Sequence, residues 1–287
     1  MQAGTAGDSI MRIVAEQISV NIGQPLIIEN ITGAAGLIGA ERIAHASADG
    51  YTIGVMSDSM IAVVPHMQER INYDPLDGFE PVSMVARITS VLVVNPTLPA
   101  KNIEELVALA KVHAGAFDYA SGGIGSQQHL AMAIFSDATG ISLNHVPFRG
   151  ASQAVVEVVS GRIPVMFVAL SIALPFVKDG RLRAIAVASK DRSQLLPDVP
   201  TVSESGLPGF VFTPWVAIYA PKGTPKQIID RLHLETVAAV QGSAVRSRLL
   251  ALGLEPETLT PNELSQRARD EFARMGKLIK TSRIKNE

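Results

Sequence analysis

YASGGIGSQQHLA, residues 119–131, is the stretch on which the fold turns. Phe117 to Ala120 reads as a short apolar strand, the Ser/Gly run after it as a loop, and the residues from about Ser126 as a helix. Glycines permit a sharp turn and a close approach of backbone to a guest. The helix start behind them presents unpaired N–H groups and the positive end of the helix dipole, which together favour an anion. The arrangement recurs along the chain with no nucleophile elbow, metal cluster or cofactor motif beside it. That combination reads as capture of a small anion rather than chemistry on it.

Outward from this stretch, apolar strands alternate with amphipathic helices, the pattern of an α/β protein whose parallel or mixed sheet is covered on both faces. Asp8 is placed to cap a helix carrying Ile10, Ile13, Val14 and Ile18 on one face. Strands are expected at Pro25 to Glu29, Tyr51 to Met56, Leu143 to Pro147, Ile163 to Val168 and Arg183 to Ala188, with one bent or two successive strands over Pro81 to Asn95. Helices are expected within 33–44, over Glu104 to Val112 behind Asn102, over Ala151 to Ser160, over about Ser171 to Lys178, and from Pro225 onward, broken at Gly253 and Pro261. Val94-Asn95-Pro96 and Phe212-Thr213-Pro214-Trp215 each join an extended run to a proline, which disfavours helix on the residue before it. Read as crossings, they divide the chain into residues 1–95 plus 216–287 and residues 96–215, a double hinge.

Composition narrows the function. The chain has 287 residues, enough for two lobes with a core each. A hydrophobic share of 47% with 18% charged residues describes a packed globular protein. A net charge of −2 gives no footprint for nucleic acid or an anionic membrane. With no cysteine, disulfides and thiolate sites are excluded. No apolar run reaches the roughly 20 residues of a membrane helix. The C-terminal region is basic through Arg246, Arg248, Arg267, Arg269, Arg274, Lys277, Lys280, Arg283 and Lys285, by default a solvated helix face.

Three chemistries find only partial support in the sequence. The glycines at 33, 36 and 39, and those at 123 and 125 followed by Gln128, both miss the dinucleotide pattern G-x-G-x-x-G. Ser126 with His129, or Ser121 with His145, would serve as nucleophile and base of a hydrolase, yet there is no G-x-S-x-G elbow and Ser126 fits a helix cap. The six histidines have no H-x-x-x-H pair, so no metal or other cofactor is expected. What survives is a set of loops at carboxyl ends of strands, where open α/β sheets take ligands. They are Gly4 to Asp8, Ser57 to Ser59, Ser121 to Ser126, Phe148 to Ser152 and Val168 to Ser171. Their amides and small hydroxyls suit a carboxylate in the field of helix dipoles.

At these residues the sequence resembles the receptors of tripartite tricarboxylate transporters, the Bug family of extracytoplasmic solute-binding proteins. The resemblance rests on AGTAGDSIMR (3–12), GAAGLIGAERIAHASADGYT (33–52), YASGGIGSQQHLA, HVPFRGASQAVVEVVSGRI (145–163), LPDVPTVSESGLPGF (196–210) and APKGTP (220–225). It implies a two-lobed type II periplasmic-binding-protein fold whose C-terminal helices return to the first lobe. It also implies capture of a small organic acid in the interlobe cleft, delivery to membrane transporter subunits, a monomer, and no catalysis. Carried over residue by residue, the site comprises Thr5, Asp8, Ser57 and Ser59 from the first lobe. The second lobe adds Ser121, Ser126, His129, Gly150, Ala151, Val168 and Ala169. A hydrolase using Ser126 and His129 is the alternative, and the effector lobe of a transcription regulator a third, without the helix-turn-helix segment it would need.

Three departures from the family pattern shape the expectations. Gly4-Thr5-Ala6-Gly7-Asp8 stands where relatives favour a run of glycines. Val168 and Ala169 stand where many relatives place Asp and Asn, so an ammonium-bearing solute would lack a charge partner. A carboxylate without an amine, aliphatic or aromatic, is therefore expected over an amino acid. The sequence starts inside the first loop, where relatives have a signal peptide and a first strand; a leader is expected upstream, and the first lobe is expected to lack that strand.

Overall fold

The structure, a computed structural model, describes residues 2–33, 36–68, 70–113 and 117–281. It forms two compact units, one of Met1–Arg87 with Trp215–Glu287 and one of Ile88–Pro214. The first opens with α1 (Ala6–Ile22), α2 (Leu37–Ala44), β1 (Gly54–Ser57), a π-helical turn (Ser59–Val63), α3 (Val64–Met67) and β2 (Phe79–Ile88). The second follows with β3 (Ser90–Val94), α4 (Ile103–Val112), β4 (Asp118–Ser121), α5 (Gln127–Thr139), β5 (Asn144–Pro147), α6 (Ala151–Val159), β6 (Val165–Ala169), α7 (Leu170–Lys178) and β7 (Arg183–Val187). The chain then returns to the first with β8 (Trp215–Pro221), α8 (Lys226–Gln241), α9 (Ser243–Ala251), β9 (Leu254–Pro256) and α10 (Pro261–Thr281).

The first unit carries a four-stranded sheet in the order β1-β8-β2-β9, with β8 antiparallel to both β1 and β2. All seven residues of β8 are buried, as a central strand covered on both faces requires. Trp215, Ala217 and Tyr219 point into one core with Met56, Phe79 and Met84. The second unit carries a five-stranded mixed sheet in the order β5-β4-β6-β3-β7. Its core joins Val91 and Val93 of β3 to Met166 and Val168 of β6, under Ala154, Val155 and Val158 of α6. The passage between the units falls at Arg87/Ile88, inside the run expected to end at Asn95, because β2 and β3 are separated by Thr89 alone and belong to different sheets.

Three local expectations are corrected. Pro25 to Glu29 forms no strand and belongs to neither sheet, and Ile27 is 86% exposed. β-Branched composition alone does not make a strand when no neighbour pairs with it. Tyr51 is not in a buried strand but 94% exposed; its amide donates to Asp49 Oδ1 (2.9 Å) in a turn through Gly50 (φ +84°), and β1 begins only at Gly54. Asp8 does not cap α1: Thr5 does, and Asp8 lies in the first helical turn. By contrast, Asn102 caps α4 by accepting from the Glu105 amide at 2.8 Å, as its sequence position predicts. Ala34 and Ala35 of the 33–44 motif, and Arg283 and Lys285 of the basic C-terminal region, lie outside the described residues.

Candidate functional site

Strand direction assembles the site of the second unit. β4 runs parallel to β5, in register from Asp118 opposite Asn144 to Ser121 opposite Pro147, and parallel to β6 at Tyr119 opposite Val165. Their carboxyl ends therefore share one sheet edge, and each leads into a helix: β4 into α5, β5 into α6, β6 into α7. Three helix N-termini, on helices of 13, 9 and 9 residues, converge there with their positive dipole ends. The loops 121–126, 148–152 and 168–171 are thus brought together as the sequence pattern implied.

The first loop is built tightly against the second. Phe148 N–H donates to the Ser121 carbonyl at 2.9 Å. A Cβ on Gly122 would stand 2.9 Å from the Ala151 nitrogen and 3.0 Å from Gln128 Oε1, so only glycine lets these backbones meet. Gly123 and Gly125 have φ of +120° and +75°, conformations that L side chains rarely adopt. Ser126 caps α5, its hydroxyl accepting from the His129 amide at 3.3 Å. The Gln128 and Ala151 amides have no acceptor among the described residues. Gly150, extended at φ 167°, precedes α6 without a capping side chain, and Ala169 precedes α7 in the same way.

Behind this loop three rings lie nearly parallel. His145 stacks on His129 at 4.1 Å and 10° and on Tyr119 at 4.9 Å and 16°. His129 is buried, and its Nδ1 accepts from the Gly125 amide at 3.0 Å. Burial first, and then the charge available on His145, hold the His129 pKa down to about 4 from an ordinary 6.5. Ser121 is wholly buried; its hydroxyl contacts His145 Nε2 at 2.5 Å and meets both the amide (3.0 Å) and the carbonyl (3.2 Å) of Gly123.

At the end of β6, Val168 turns its side chain into the core. Ala169 supplies backbone only, and the Leu170 amide is already bonded to the Thr89 carbonyl at 2.8 Å. The segment brings no carboxylate to the sheet edge.

In the first unit, Asp8 is a scaffold group. Its Oδ2 accepts from the Gly4 amide (2.9 Å) and from Arg12 Nε (3.0 Å), and its Oδ1 from the Asn30 amide (2.9 Å). Burial pushes this carboxyl up, but the bonds from Arg12, Gly4 and Asn30 outweigh it and leave its pKa below 3.8. Thr5 Oγ1 donates to the Gln2 carbonyl (2.8 Å) and makes a long cap, 3.5 Å, to the Asp8 amide. Ser57 ends β1 half-buried. Ser59 is buried at the start of the π-helical turn, where its amide donates to Asp58 Oδ1 at 2.8 Å. Such turns recur where a helix is locally reshaped for a site.

The hydrolase pairings fare differently. Ser126 and His129 meet only through backbone capping, since the imidazole Nδ1 is turned to Gly125. Ser121 and His145 do touch, but on a serine with no exposed surface. Among the described residues no three His, Asp or Glu are grouped to hold a metal, and no helix is long and apolar enough to cross a membrane. Sequence reading named the loop that holds Gly122 and the pairing of Ser121 with His145, but it gave no individual role to Gly122 or Tyr119 and none outside a hydrolase to His145. The β4–β5 register that aligns Tyr119 with His145 is a long-range pairing with no local signal.

The chain is similar to known proteins over nearly its whole length. The sequence matches the family described as "Tripartite tricarboxylate transporter family receptor" over residues 10–284. It is 35% identical to protein BugT of Bordetella pertussis over 283 residues, which is 98% of this chain and 87% of that one. Among solved structures, Rpa4515 of R. palustris with adipate superposes with a TM-score of 0.95 at 29% identity, covering 98% of this chain and 94% of that one. MatC of Rhodopseudomonas palustris with bound malate gives 0.91 at 29% identity, covering 97% and 96%. None of these supports the hydrolase alternative.

Proposed function

Because the chain belongs to the tripartite tricarboxylate transporter receptor family, a family of solute-binding receptors, we propose that its solute is a small dicarboxylate without an amine. The observation that carries this reading is the shared edge of β4, β5 and β6, where three helix N-termini meet the glycine loop and the loops 121–126, 148–152 and 168–171 contain no Asp or Glu. A carboxylate is stabilised there by free amides and helix dipoles. An ammonium group would be buried without a partner. The relatives solved with adipate and malate hold dicarboxylates, which supports the same class. In the second unit the proposed contacts are the backbone of Gly150 and Ala151, the Gln128 amide, the Ser126 hydroxyl, and His129. Ser121, Val168 and Ala169 shape the loops from behind. In the first unit, taken by itself, Ser57 and Ser59 offer hydroxyls, and Thr5 and Asp8 hold the loop that starts α1.

On this reading the protein is a non-catalytic monomer working outside the cytoplasmic membrane, handing its solute to membrane subunits of a transporter. Thermal denaturation with adipate, malate, succinate, aspartate and glutamate tests it. A dicarboxylate present at about 100 times its Kd adds about 2.7 kcal/mol to stability and raises the midpoint visibly. A larger rise with aspartate than with succinate would refute the exclusion of amines. Recovery of the dicarboxylate unchanged after long incubation is the accompanying check on catalysis.

A further inference from the structure

Two imidazoles grip the anion loop at its two ends, and they do so with opposite hydrogen-bond polarity. At one end the Gly125 amide donates to His129 Nδ1, so that nitrogen is bare. Its ring is then either neutral with the proton on Nε2, or it loses the bond. At the other end the Ser121 hydroxyl has three neighbours: the Gly123 amide, which can only donate to it, the Gly123 carbonyl, which can only accept from it, and His145 Nε2. A hydroxyl has one proton and two acceptor sites. All three contacts are hydrogen bonds only when His145 Nε2 carries a proton and donates. A bare Nε2 would claim the hydroxyl proton and leave the Gly123 carbonyl contact unmade.

The rings are stacked at 4.1 Å, so a charge on one opposes a charge on the other. Facing His145 are the Tyr119 phenol ring from β4, the His129 imidazole from α5 and the Ser121 hydroxyl at the end of β4. Asp118 stands one register position away, opposite Asn144. His129 is the deeper ring, at 7% exposure, while His145 is half-buried on an edge strand.

We propose that His145 is a positioning residue of the anion loop, acting through Ser121 on Gly123 without touching the solute, and that the His129–His145 pair holds at most one added proton, which resides on His145. The loop geometry is then set by a donor at one end and an acceptor at the other. Depressed protonation of His129, caused by burial and by His145, agrees with this division of roles. Its effect on affinity rests on the reading of residues 121–126 as the solute loop; the hydrogen-bond pattern does not.

The first arm of the test therefore uses no solute. Long-range ¹⁵N spectra of the histidine rings in the full chain are recorded between about pH 5 and 8, the range in which an ordinary imidazole titrates. The expected result is a bare Nδ1 on His129 throughout, a proton on His145 Nε2 throughout, and the second proton entering on His145. A bare Nε2 on His145, or His129 titrating first, overturns the proposal. The second arm compares His145→Gln, whose amide restores a donor, with His145→Met, which keeps bulk without one. The Gly123 amide signal should move in the Met variant and not in the Gln variant; movement in both or neither overturns it. With adipate as probe, the Gln variant should bind within about threefold of the parent and the Met variant about tenfold more weakly, a difference of roughly one decade in Kd. Equal affinity of all three proteins would overturn the proposal. If the parent binds none of adipate, malate and succinate, the dicarboxylate reading fails while the ring and Gly123 signals still decide the role of His145.

Discussion

The Asn30 amide donates to Asp8 Oδ1 at 2.9 Å, tying the first turn of α1 to the chain 22 residues later. Thr5 caps α1 through the Asp8 amide, and the Asp8 side chain accepts in turn from the Gly4 amide just ahead of that cap, so the start of α1 is pinned to the loop before it as well as to Asn30. An acidic residue in a glycine loop invites a reading as a solute contact, but this one holds backbone.

Asp8→Asn tests that assignment. It weakens the bonds from Arg12 and Gly4 and is expected to cost about 1–2 kcal/mol, the range for loss of a cap or a charge-assisted hydrogen bond. Urea unfolding measures it, and a midpoint equal to that of the parent would show that Asp8 has no scaffold role.

Gly122→Ala places a methyl group 2.9 Å from the Ala151 nitrogen, which belongs to backbone and cannot swing away. The loops 121–126 and 148–152 must separate. The expected cost is about 1–3 kcal/mol, the usual penalty of overpacking, together with weaker dicarboxylate binding. Retention of both stability and affinity would mean the contact is not needed.

Acid should destabilise the protein through His129. Above about pH 6.5 the ring is neutral folded or unfolded and contributes no slope. Between pH 6.5 and about 4 the unfolded chain takes up a proton that the folded ring refuses, so stability falls as pH falls through that window. The full loss, reached near pH 4, is about 3 kcal/mol from this group. Asp8, with its pKa lowered from 3.8, adds stability that is present above pH 3.8 and lost as pH drops further. Urea midpoints of the parent and of His129→Asn across pH distinguish the two, since the variant should lose the slope above pH 4 and keep the one below.

Asn95 offers a fourth test, away from the solute. Its Nδ2 donates to the Val158 and Val159 carbonyls at 2.8 and 3.2 Å, closing the end of α6, and its Oδ1 accepts from the Thr97 amide at 2.9 Å. Asn95→Leu leaves those buried groups unmade, at about 2–3 kcal/mol. A smaller loss, measured by urea unfolding, would indicate that water replaces the amide.

What was legible in the sequence was what is local. The Ser126 cap, the helix after it and the α/β alternation follow from neighbouring residues, and so do Asn102 and α4. The helix start is ambiguous in sequence because Thr5 and Asp8, three residues apart, are both residue types that cap helices. β8 is masked in the sequence because WVAIYAP enters the middle of its sheet directly behind Pro214, where the pattern reads as a chain crossing. The site was legible as loops but not as a network. That Ser121 meets His145 was one of two serine–histidine pairings open on spacing, and only the parallel register of β4 and β5 selects it.

The position of β8 at residues 215–221, between β1 and β2 in its sheet, also fixes an order of events during synthesis. Residues 88–214 form a continuous unit that can complete its own sheet as it emerges. The segment before it cannot, because its central strand has not yet been translated. A nascent chain from which residues 88–214 have emerged and residues 215–221 have not therefore holds a finished second unit together with an exposed β1 and β2 still lacking their shared partner, which makes it the species on which a ribosome-associated chaperone has most to protect.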